Sequence, residues 1–271
     1  MFKKSLFKVV APLAAASMLL AACGADDSSG SSSSSSSSDG EITKLVAGTE
    51  ATYAPFEYLD DKGNVVGIDA EIIAAIGEEM GVEIEMKNVG WDPMMSQVTT
   101  GEIDMGAAAI TITDDRLETY DFTEPYYEAS LLIVTKEDSD IETFEDLKDK
   151  KVSVQLSTTG HIAAQELQGK ASSNILGYEN FSVALTEVLT GAAEAAIGDN
   201  AVILEYIKNN PDSGLKTIED DSFEVDHFGI MVKKGNKEVL DILNEGLAAI
   251  KENGKLDEIV EKYTGVTQEL E

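Results

Sequence analysis

The sequence predicts an α/β fold made of two similar α/β units, and two observations support that prediction. Segments that read as strands are followed by segments with apolar residues at helical spacing. This alternation runs from Lys44 through Ile110 and starts again at Leu131. From Glu41 onward the chain is long enough for one large or two medium domains.

The first unit opens with a strand at KLVAG and passes a hairpin-like turn at residues 61–64 before its first helix. That helix carries apolar residues at helical spacing: Ile72, Ile73, Ile76 and Met80. Gly81 is expected to end it. A strand at VEIEM follows, then a helix opened by Asp92 as N-cap and Pro93 in the first turn. The apolar stretch EIDMGAAAI predicts a buried strand.

The second unit repeats this order. Strands are predicted at LLIVT, KVSVQL, NILGY and EAAIGD. Between them lie a short helix at TFEDLKDK, a loop and helix at TTGHIAAQELQGK, and a helix at FSVALTEVLTGA. The helix NAVILEYI and a strand FEVDHFGIMVKK, bent at Gly229, come next. Two C-terminal helices are separated by Asn253 and Gly254.

The N-terminus predicts a lipoprotein signal peptide at residues 1–22. A basic start, MFKK, precedes an apolar run that is short for a membrane span and ends in Leu-Ala-Ala before Cys23, the only cysteine. We expect Cys23 to carry the lipid, palmitate included, and residues 23–40, rich in Ser and Gly, to form a flexible tether. These features place the protein on the extracytoplasmic face of the cell membrane. The alternative is an ordinary signal peptide with an incidental cysteine.

The formal net charge of −31 narrows the range of partners. Such a surface argues against binding to nucleic acid or to anionic lipid, because both repel it. It is typical of adaptation to a saline or alkaline habitat, and it would also steer cationic ligands towards the protein.

The sequence lacks the motifs of common enzymes, including a G-x-S-x-G turn, a P-loop and a G-x-G-x-x-G loop. The two histidines, His161 and His227, are far apart and without a nearby cysteine, so a zinc site is not expected. DDKGN lacks the ligand spacing of a calcium loop. We therefore expect neither an enzyme nor a metal or other cofactor.

Chemically distinctive residues follow several predicted strands: Glu50, Tyr53, Thr111, Arg116, Thr159, Gly160 and Asp199. In open α/β sheets, ligands bind beyond the carboxyl ends of the strands. The pattern therefore predicts a cleft between the two units.

Arg116 is the only arginine beside 19 lysines. It follows Thr113, a predicted N-cap, and two acids in the first helical turn, where the helix dipole does not favour a cation. One interpretation is a surface salt bridge to Asp114, Asp115 or Glu118. The other is a bidentate contact with an anionic ligand group, which a guanidinium makes and a lysine cannot. The spacing favours neither.

Asp199 and two aromatic residues also allow two interpretations each. Asp199 is placed either to cap the helix NAVILEYI or to balance an ammonium group. Tyr53 and Trp91, the only tryptophan, stand in predicted loops. Core packing is the more common role for such side chains, and stacking on a ligand is the alternative.

Three segments carry a family resemblance: TYAPFEY…GNVVGIDAEIIAAIGEEMG, GWDPMMSQVTTGEIDMGAAAITITDDRLETYDFTEPYY and VSVQLSTTG…IGD. Together they resemble the family 3 extracellular solute-binding proteins, which serve ABC importers for polar amino acids. The resemblance extends from Lys44 to Gly265. Residues 67–72 look like the family signature, although Ala70 stands where a larger aliphatic residue is usual.

The resemblance implies a type II periplasmic-binding-protein clamshell, in which two α/β lobes are joined by two crossover hinge segments. Lobe 1 would contain residues 41–128 and 227–271, and lobe 2 would contain residues 129–226. The crossovers would lie near residues 126–130 and 224–228.

The resemblance also implies roles for the distinctive residues. Arg116 would bind the α-carboxylate of an amino acid, with Thr111, the backbone of Ala109, and Thr159 and Gly160 from lobe 2. Asp199 would bind the α-ammonium group. Tyr53 would pack on the ligand side chain, Trp91 would border it, and Glu50 would face its distal end. Ala108 and Ala109 replace the serine or glycine that the family often has, which removes possible hydroxyl contacts.

The function implied is that of a monomeric, lipid-anchored protein that captures a polar amino acid and delivers it to an ABC importer permease. Glu50 favours a basic amino acid, with glutamine or cystine as alternatives. Two further alternatives use the same fold: an enzyme like cyclohexadienyl dehydratase, and a sensor module.

Overall fold

The fold is taken from a computed structural model, which describes residues 42–267. The predicted signal peptide, the tether and Cys23 lie outside the described residues. The strands within the described range are β1 (Lys44–Thr49), β2 (Thr52–Tyr53), β3 (Glu57–Leu59), β4 (Val65–Val66), β5 (Glu83–Asn88), β6 (Met105–Gly106), β7 (Tyr120–Phe122), β8 (Tyr127–Ala129), β9 (Leu131–Lys136), β10 (Val152–Gln155), β11 (Ile175–Tyr178), β12 (Ala195–Asp199), β13 (Leu215–Ile218), β14 (Asp226–Phe228) and β15 (Met231–Lys233). The α-helices there are α1 (Ile68–Met80), α2 (Trp91–Thr100), α3 (Asp114–Thr119), α4 (Thr159–Gln168), α5 (Phe181–Thr190), α6 (Asn200–Asn209), α7 (Lys237–Glu252) and α8 (Lys255–Thr264).

The first sheet has the strand order β5-β1-β6-β15-β7 and forms the centre of lobe 1. β1 runs parallel to β5 and β6, whereas β15 is antiparallel to β6 and β7. Helix α1 buries its apolar face, including Ile72 and Ile76, and packs against α7 and α8. The C-terminal helices therefore complete the lobe that the N-terminal strands begin.

The second sheet has the order β11-β10-β12-β9-β13 and forms the centre of lobe 2. β10 is parallel to β11 and β12, and β9 is antiparallel to β12 and β13. The prediction of two α/β units with parallel strands is thus confirmed for the cores of both sheets. Each sheet is mixed because one strand, β15 in the first sheet and β9 in the second, runs opposite to all the others.

Two strands that belong to neither large sheet connect the lobes. β8 pairs with β14 in antiparallel register, with Tyr127 opposite Phe228. A buried aromatic group lies beside this pair: the Phe56 ring centroid is 4.8 Å from that of Tyr127 and 5.2 Å from that of Phe228. Edge-to-face contacts of this kind stabilise the junction beyond the burial of apolar area.

Several local predictions were correct. Thr113 is the N-cap of α3 and accepts a hydrogen bond from the Arg116 backbone N–H. Gly81 and Gly254 adopt the left-handed conformation that ends or separates helices. The predicted turn at residues 61–64 joins β3 to β4. The Asp60 side chain accepts hydrogen bonds from the backbone N–H groups of Lys62 and Asn64 in this turn.

Other local predictions were wrong. α2 begins at Trp91 with Gly90 as its N-cap, so Asp92 lies in the first turn and is not the cap. The stretch EIDMGAAAI forms a strand only at residues 105–106, because Ala109 has a φ of 47° that no strand accommodates. TFEDLKDK forms only a 3₁₀ turn at Glu145–Leu147. FEVDHFGIMVKK is two strands, β14 and β15, with Gly229 between them.

A substitution at Gly67 tests how closely the backbone of the small β2-β3-β4 sheet approaches the start of α1. Its φ is +128°, and a Cβ there would lie 2.2 Å from the Phe56 carbonyl oxygen. We expect Gly67→Ala to lower the free energy of unfolding by about 3 kcal/mol or more, because backbone strain adds to the clash. Urea denaturation measures the loss.

Gly63→Ala is the matched control. Gly63 also has a positive φ, +82°, but nothing lies within 4 Å of the added Cβ. It should lose only about 1–2 kcal/mol, the left-handed penalty alone. Equal losses in the two variants would contradict the proposed clash.

Candidate functional site

The candidate site lies where strand ends of both sheets meet. A cavity of about 20 Å³, room for about one water molecule, lies between the lobes. The residues that line it are Glu50, Tyr53, Glu57, Trp91, Ala108, Ala109, Thr111, Arg116, Gln155, Thr158, Thr159 and Asp199. Eight of the residues predicted from the sequence are among them, and Gly160 is not.

Arg116 turns its guanidinium away from the acids of its own helix. Nη1 donates to the Thr111 carbonyl oxygen at 2.7 Å, and Nη2 donates to the Ser157 carbonyl of lobe 2 at 3.3 Å. Burial lowers the pKa of Arg116 to about 10, and the charges of Asp199 and Asp226 oppose that fall. The guanidinium therefore remains protonated at neutral pH, and the carboxylates that act on it belong to the cleft.

Asp199 occupies the N-cap position of α6, but its side chain makes no capping hydrogen bond. Instead its Oδ2 accepts a hydrogen bond from the Tyr53 hydroxyl at 2.5 Å, across the boundary between the lobes. Burial raises the pKa of Asp199 to about 6, while the Tyr53 hydrogen bond and the Arg116 charge lower it. The carboxylate is thus mostly ionised at neutral pH, and within residues 42–267 the Tyr53 hydroxyl is the one donor to Oδ2.

Glu50 forms a second contact between the lobes. Its Oε2 accepts from Gln155 Nε2 at 2.6 Å, and its Oε1 accepts from Thr52 Oγ1 at 2.5 Å. Burial raises the pKa of Glu50, and both hydrogen bonds oppose that rise. A carboxylate with neutral donors retains its negative charge for a cationic partner.

Trp91 separates the small cavity from a larger one. The Arg116 guanidinium carbon lies 5.4 Å from the Trp91 ring centroid, within the range of a cation–π contact. A cavity of about 330 Å³ lies on the outer side and shares Glu50 and Trp91 with the inner one. Asp92 and Glu179 line that outer cavity, so its wall is acidic.

The start of α4 supplies the wall from lobe 2. Thr158 caps α4 by accepting the His161 N–H, and both Thr158 and Thr159 line the cavity. Gly160 packs against β12, where an added Cβ would lie 2.7 Å from the Ile197 carbonyl oxygen. Its observed role is therefore to permit the close approach of α4 to the strand that ends in Asp199.

Ala109 and Thr111 form the wall opposite α4. The Ala109 backbone has a φ of 47°, and its N–H donates to Asp69 Oδ2 at 2.7 Å. Thr111 is buried, and its carbonyl oxygen is the one that accepts from Arg116. The backbone in this stretch is thus held from behind by a buried carboxylate.

Three lining residues are not identified by the sequence analysis: Glu57, Gln155 and Thr158. Gln155 ends a predicted strand, and its position at the carboxyl end was the available signal. Glu57 lies inside the hairpin, and nothing in the local pattern indicates that it is buried. Ala108, named above only for its missing hydroxyl, also lines the cavity.

Residues 42–267 contain neither a candidate metal cluster nor a candidate membrane-spanning helix. No three His, Cys, Asp or Glu side chains within residues 42–267 converge closely enough to hold a metal ion. No helix in that range combines the length and apolar character of a membrane span.

Comparison with known proteins identifies the family to which the chain belongs. Residues 45–266 match the family described as bacterial extracellular solute-binding proteins, family 3. A probable histidine-binding protein of Neisseria gonorrhoeae is 33% identical over 225 residues, 83% of each chain. The crystal structure of the arginine-, lysine-, histidine-binding protein ArtJ from Geobacillus stearothermophilus is similar with a TM-score of 0.81 and 41% identity, over 84% of this chain and 98% of that one.

A second similar structure is relevant to the question of whether this chain is an enzyme. It is the ancestral amino-acid-binding protein AncCDT-1, described as a precursor of cyclohexadienyl dehydratase. Its TM-score is 0.74 at 34% identity, over 82% of this chain and 95% of that chain.

Tyr53→Phe tests the hydrogen bond between Tyr53 and Asp199. The variant leaves a buried carboxylate oxygen without its donor, so the pKa of Asp199 should rise above about 6. We expect the free energy of unfolding at neutral pH to fall by about 1–3 kcal/mol. Because the raised pKa disfavours only the ionised form, the loss should shrink as pH falls and Asp199 becomes protonated.

Urea denaturation at several pH values measures both effects. Tyr206→Phe, which lies outside the inner cavity on α6, is the control. A loss in Tyr53→Phe that does not change with pH would contradict the assignment to Asp199.

Proposed function

This chain belongs to the bacterial extracellular solute-binding proteins of family 3, and from that premise we propose that it captures a basic amino acid between its lobes for an ABC importer. Amino-acid binding and delivery to the importer follow from the family and from its relatives. The choice of a basic amino acid is the finer part of the proposal. It rests on the groups that line one cavity: two carboxylates, Asp199 and Glu50, a third carboxyl, Glu57, whose pKa burial raises well above its usual range, and a single cation, Arg116.

The two ends of an amino acid match two of these groups. The guanidinium of Arg116 presents a planar pair of donors to the α-carboxylate, with Thr111, Thr159 and the Ala109 backbone beside it. The carboxylate of Asp199 accepts the α-ammonium group, in addition to or in place of the Tyr53 hydroxyl. Burying both ligand charges is favourable because each meets an opposite charge.

The remaining carboxylate selects the side chain. With Arg116 and Asp199 taken by the α-groups, Glu50 faces the distal end and bears a negative charge that its neutral partners do not cancel. A ligand with net charge +1, such as arginine or lysine, balances the cavity, whereas glutamine leaves one buried negative charge unpaired. Asp92 and Glu179 add negative potential at the outer cavity.

Ligand entry requires the lobes to separate. The inner cavity of about 20 Å³ is too small for an amino acid, and hydrogen bonds between the lobes close it. We assign residues 41–128 and 227–271 to lobe 1 and residues 129–226 to lobe 2. The strands of each large sheet fall within these ranges, and β8 and β14 at the boundaries would act as the hinge.

The N-terminal segment sets the location. We infer that residues 1–22 are removed, that Cys23 carries the lipid and that residues 23–40 tether the domain to the extracytoplasmic face of the membrane. A monomer on such a tether remains close to the permease and is free to rotate.

We infer a binding protein rather than an enzyme, since the relatives described above are binding proteins. The similarity to a precursor of cyclohexadienyl dehydratase makes a turnover assay on cyclohexadienyl substrates the test of the alternative. A sensor role predicts a receptor gene beside this one, in place of genes for a permease and an ATPase.

A thermal-shift screen of the twenty amino acids and cystine tests the ligand class. Ligand at about 100 times its Kd should stabilise the protein by about 2.7 kcal/mol. We expect arginine and lysine to give the largest shifts, because they balance the charge of the cavity. Shifts with glutamine or cystine alone would contradict the basic ligand, and no shift with any compound would contradict amino-acid binding.

The same screen on Glu50→Gln distinguishes the effect of the Glu50 charge on ligand binding from the effect of its size. This variant removes the negative charge and retains the size of the side chain. The shift with arginine and lysine should fall, and the shift with glutamine should not. An equal fall for all ligands would mean that Glu50 does not read the side-chain charge.

Arg116→Lys tests the pairing with the α-carboxylate. A lysine cannot form two parallel hydrogen bonds to a carboxylate, so binding should weaken by about 2–5 kcal/mol. Isothermal titration calorimetry measures the change, and Lys148→Ala, an exposed cation remote from the cavity, is the control. Unaltered affinity in Arg116→Lys would remove Arg116 from the site.

A further inference from the structure

Two buried carboxyl groups lie behind the cavity wall. Glu57 on β3 lines the cavity and Asp69 on α1 lies beneath it, and each is 1% exposed. Asp69 holds the Ala109 backbone through Oδ2, as described above. The proposed contacts with a ligand do not use either carboxyl group.

Their remaining oxygen atoms are unsatisfied. Glu57 Oε2, Asp69 Oδ1 and the Tyr126 hydroxyl are buried without a hydrogen-bond partner within residues 42–267. An ionised carboxylate only accepts hydrogen bonds, so two of them cannot satisfy each other. One added proton turns either group into a donor to the other, which resolves the two orphan oxygens together.

We propose that Glu57 and Asp69 share one proton, and that the protonated Glu57 acts as a positioning residue that holds Asp69 against the Ala109 backbone in the ligand cavity. The effect on affinity rests on the function proposed above, whereas the shared proton does not.

The surroundings determine which carboxyl holds the proton. Asp69 accepts a backbone N–H, which favours its ionised form. Glu57 is packed among negative groups from several elements: Asp69 on α1, Glu50 after β1 and Asp199 on β12. Burial and these charges raise the pKa of Glu57 well above its usual range, whereas the pKa of Asp69 rises only to about 6. The two groups titrate as a pair, with the proton mainly on Glu57.

Two tyrosines complete the list of titratable groups around the pair. Tyr126 faces both carboxyls and Tyr53 faces Glu57, and burial with these charges raises the pKa of each tyrosine well above its usual range. Both tyrosines therefore remain neutral. The cation on the cavity wall, Arg116, responds instead to Asp199 and Asp226.

Loss of the shared proton would affect the ligand directly. Two adjacent buried negative charges repel, and the Ala109 backbone depends on Asp69 to stay at a φ of 47°. The wall formed by Ala108 and Ala109 would then lose its geometry. Affinity should accordingly fall as pH rises through the range in which the pair loses its proton.

The proton itself is detectable without ligand. Difference infrared spectra of the full-length wild type and Glu57→Gln, recorded at neutral pH, should show a C=O stretch of a protonated carboxyl group in the wild type alone. Titrating the wild type to high pH should abolish the same band, which provides a second reading if the variant folds poorly. Absence of the band in the wild type at neutral pH would overturn the proposal.

The pH dependence of the free energy of unfolding provides an independent test of the shared proton. If the pair holds the shared proton at neutral pH, the folded wild type binds about one proton more than the unfolded chain, and its stability falls as pH rises. One proton corresponds to about a tenfold change in the folding equilibrium constant per pH unit. Glu57→Gln should remove that slope, because the amide donates to Asp69 at every pH.

Asp104→Asn is the matched control. Asp104 also accepts a backbone N–H, from Val46 at 2.8 Å, but lies before β6, at the opposite end of that strand from the ligand cavity. The pH dependence of the stability of this variant, and its infrared spectrum, should match those of the wild type. Equal slopes in the wild type and in Glu57→Gln would overturn the proposal.

Affinity for the ligand found in the screen supplies the positional test. Glu57→Ala should bind at least about tenfold more weakly, since it removes the donor to Asp69. Glu57→Gln should restore most of that affinity and make it independent of pH in the range where the wild type weakens. Equal losses in the two variants would overturn the positioning role. If no amino acid binds the wild type, the proposed function is wrong. The infrared band and the pH dependence of stability still decide whether Glu57 and Asp69 share a proton.

Discussion

The electrostatic attraction between Arg116 and Asp199 links the two halves of the molecule. Asp199 ends a strand of the second sheet, Arg116 follows the first sheet, and each charge shifts the pKa of the other towards the ionised form. Burial opposes both shifts, so the pair is stable only while other polar groups share the cost. The Thr111 and Ser157 carbonyls do this for the cation, and the Tyr53 hydroxyl does it for the carboxylate.

The sheet topology explains why these groups meet. The parallel strands β1 and β6 in one lobe and β10 and β12 in the other end at the same boundary, so the loops that follow them face one another. β8 and β14 cross that boundary as one antiparallel pair. The closing motion proposed above, about this pair, would bring four strand ends together without altering either sheet.

Sequence patterns predicted most of this arrangement because its strongest signals are local. Helical spacing located α1 and α7, and the strand ends located Glu50, Arg116 and Asp199. The features that sequence patterns could not predict depend on tertiary contacts. Asp199 stands at an N-cap yet pairs with Tyr53, 146 residues away. The close packing of α4 on β12 at Gly160 is not visible in the local pattern, and the burial of Glu57 follows only from how the hairpin folds onto α1.

Trp91 gives the cleft a property of practical value. It is the only tryptophan in the chain, it forms part of the wall between the two cavities, and its indole N–H has no hydrogen-bond partner within residues 42–267. Its fluorescence therefore comes from one point beside the Arg116 guanidinium, and water reaching that point would change the emission. The unlabelled protein thus carries a single-site optical reporter, and rapid-mixing fluorimetry can follow the opening and closing of the lobes in real time.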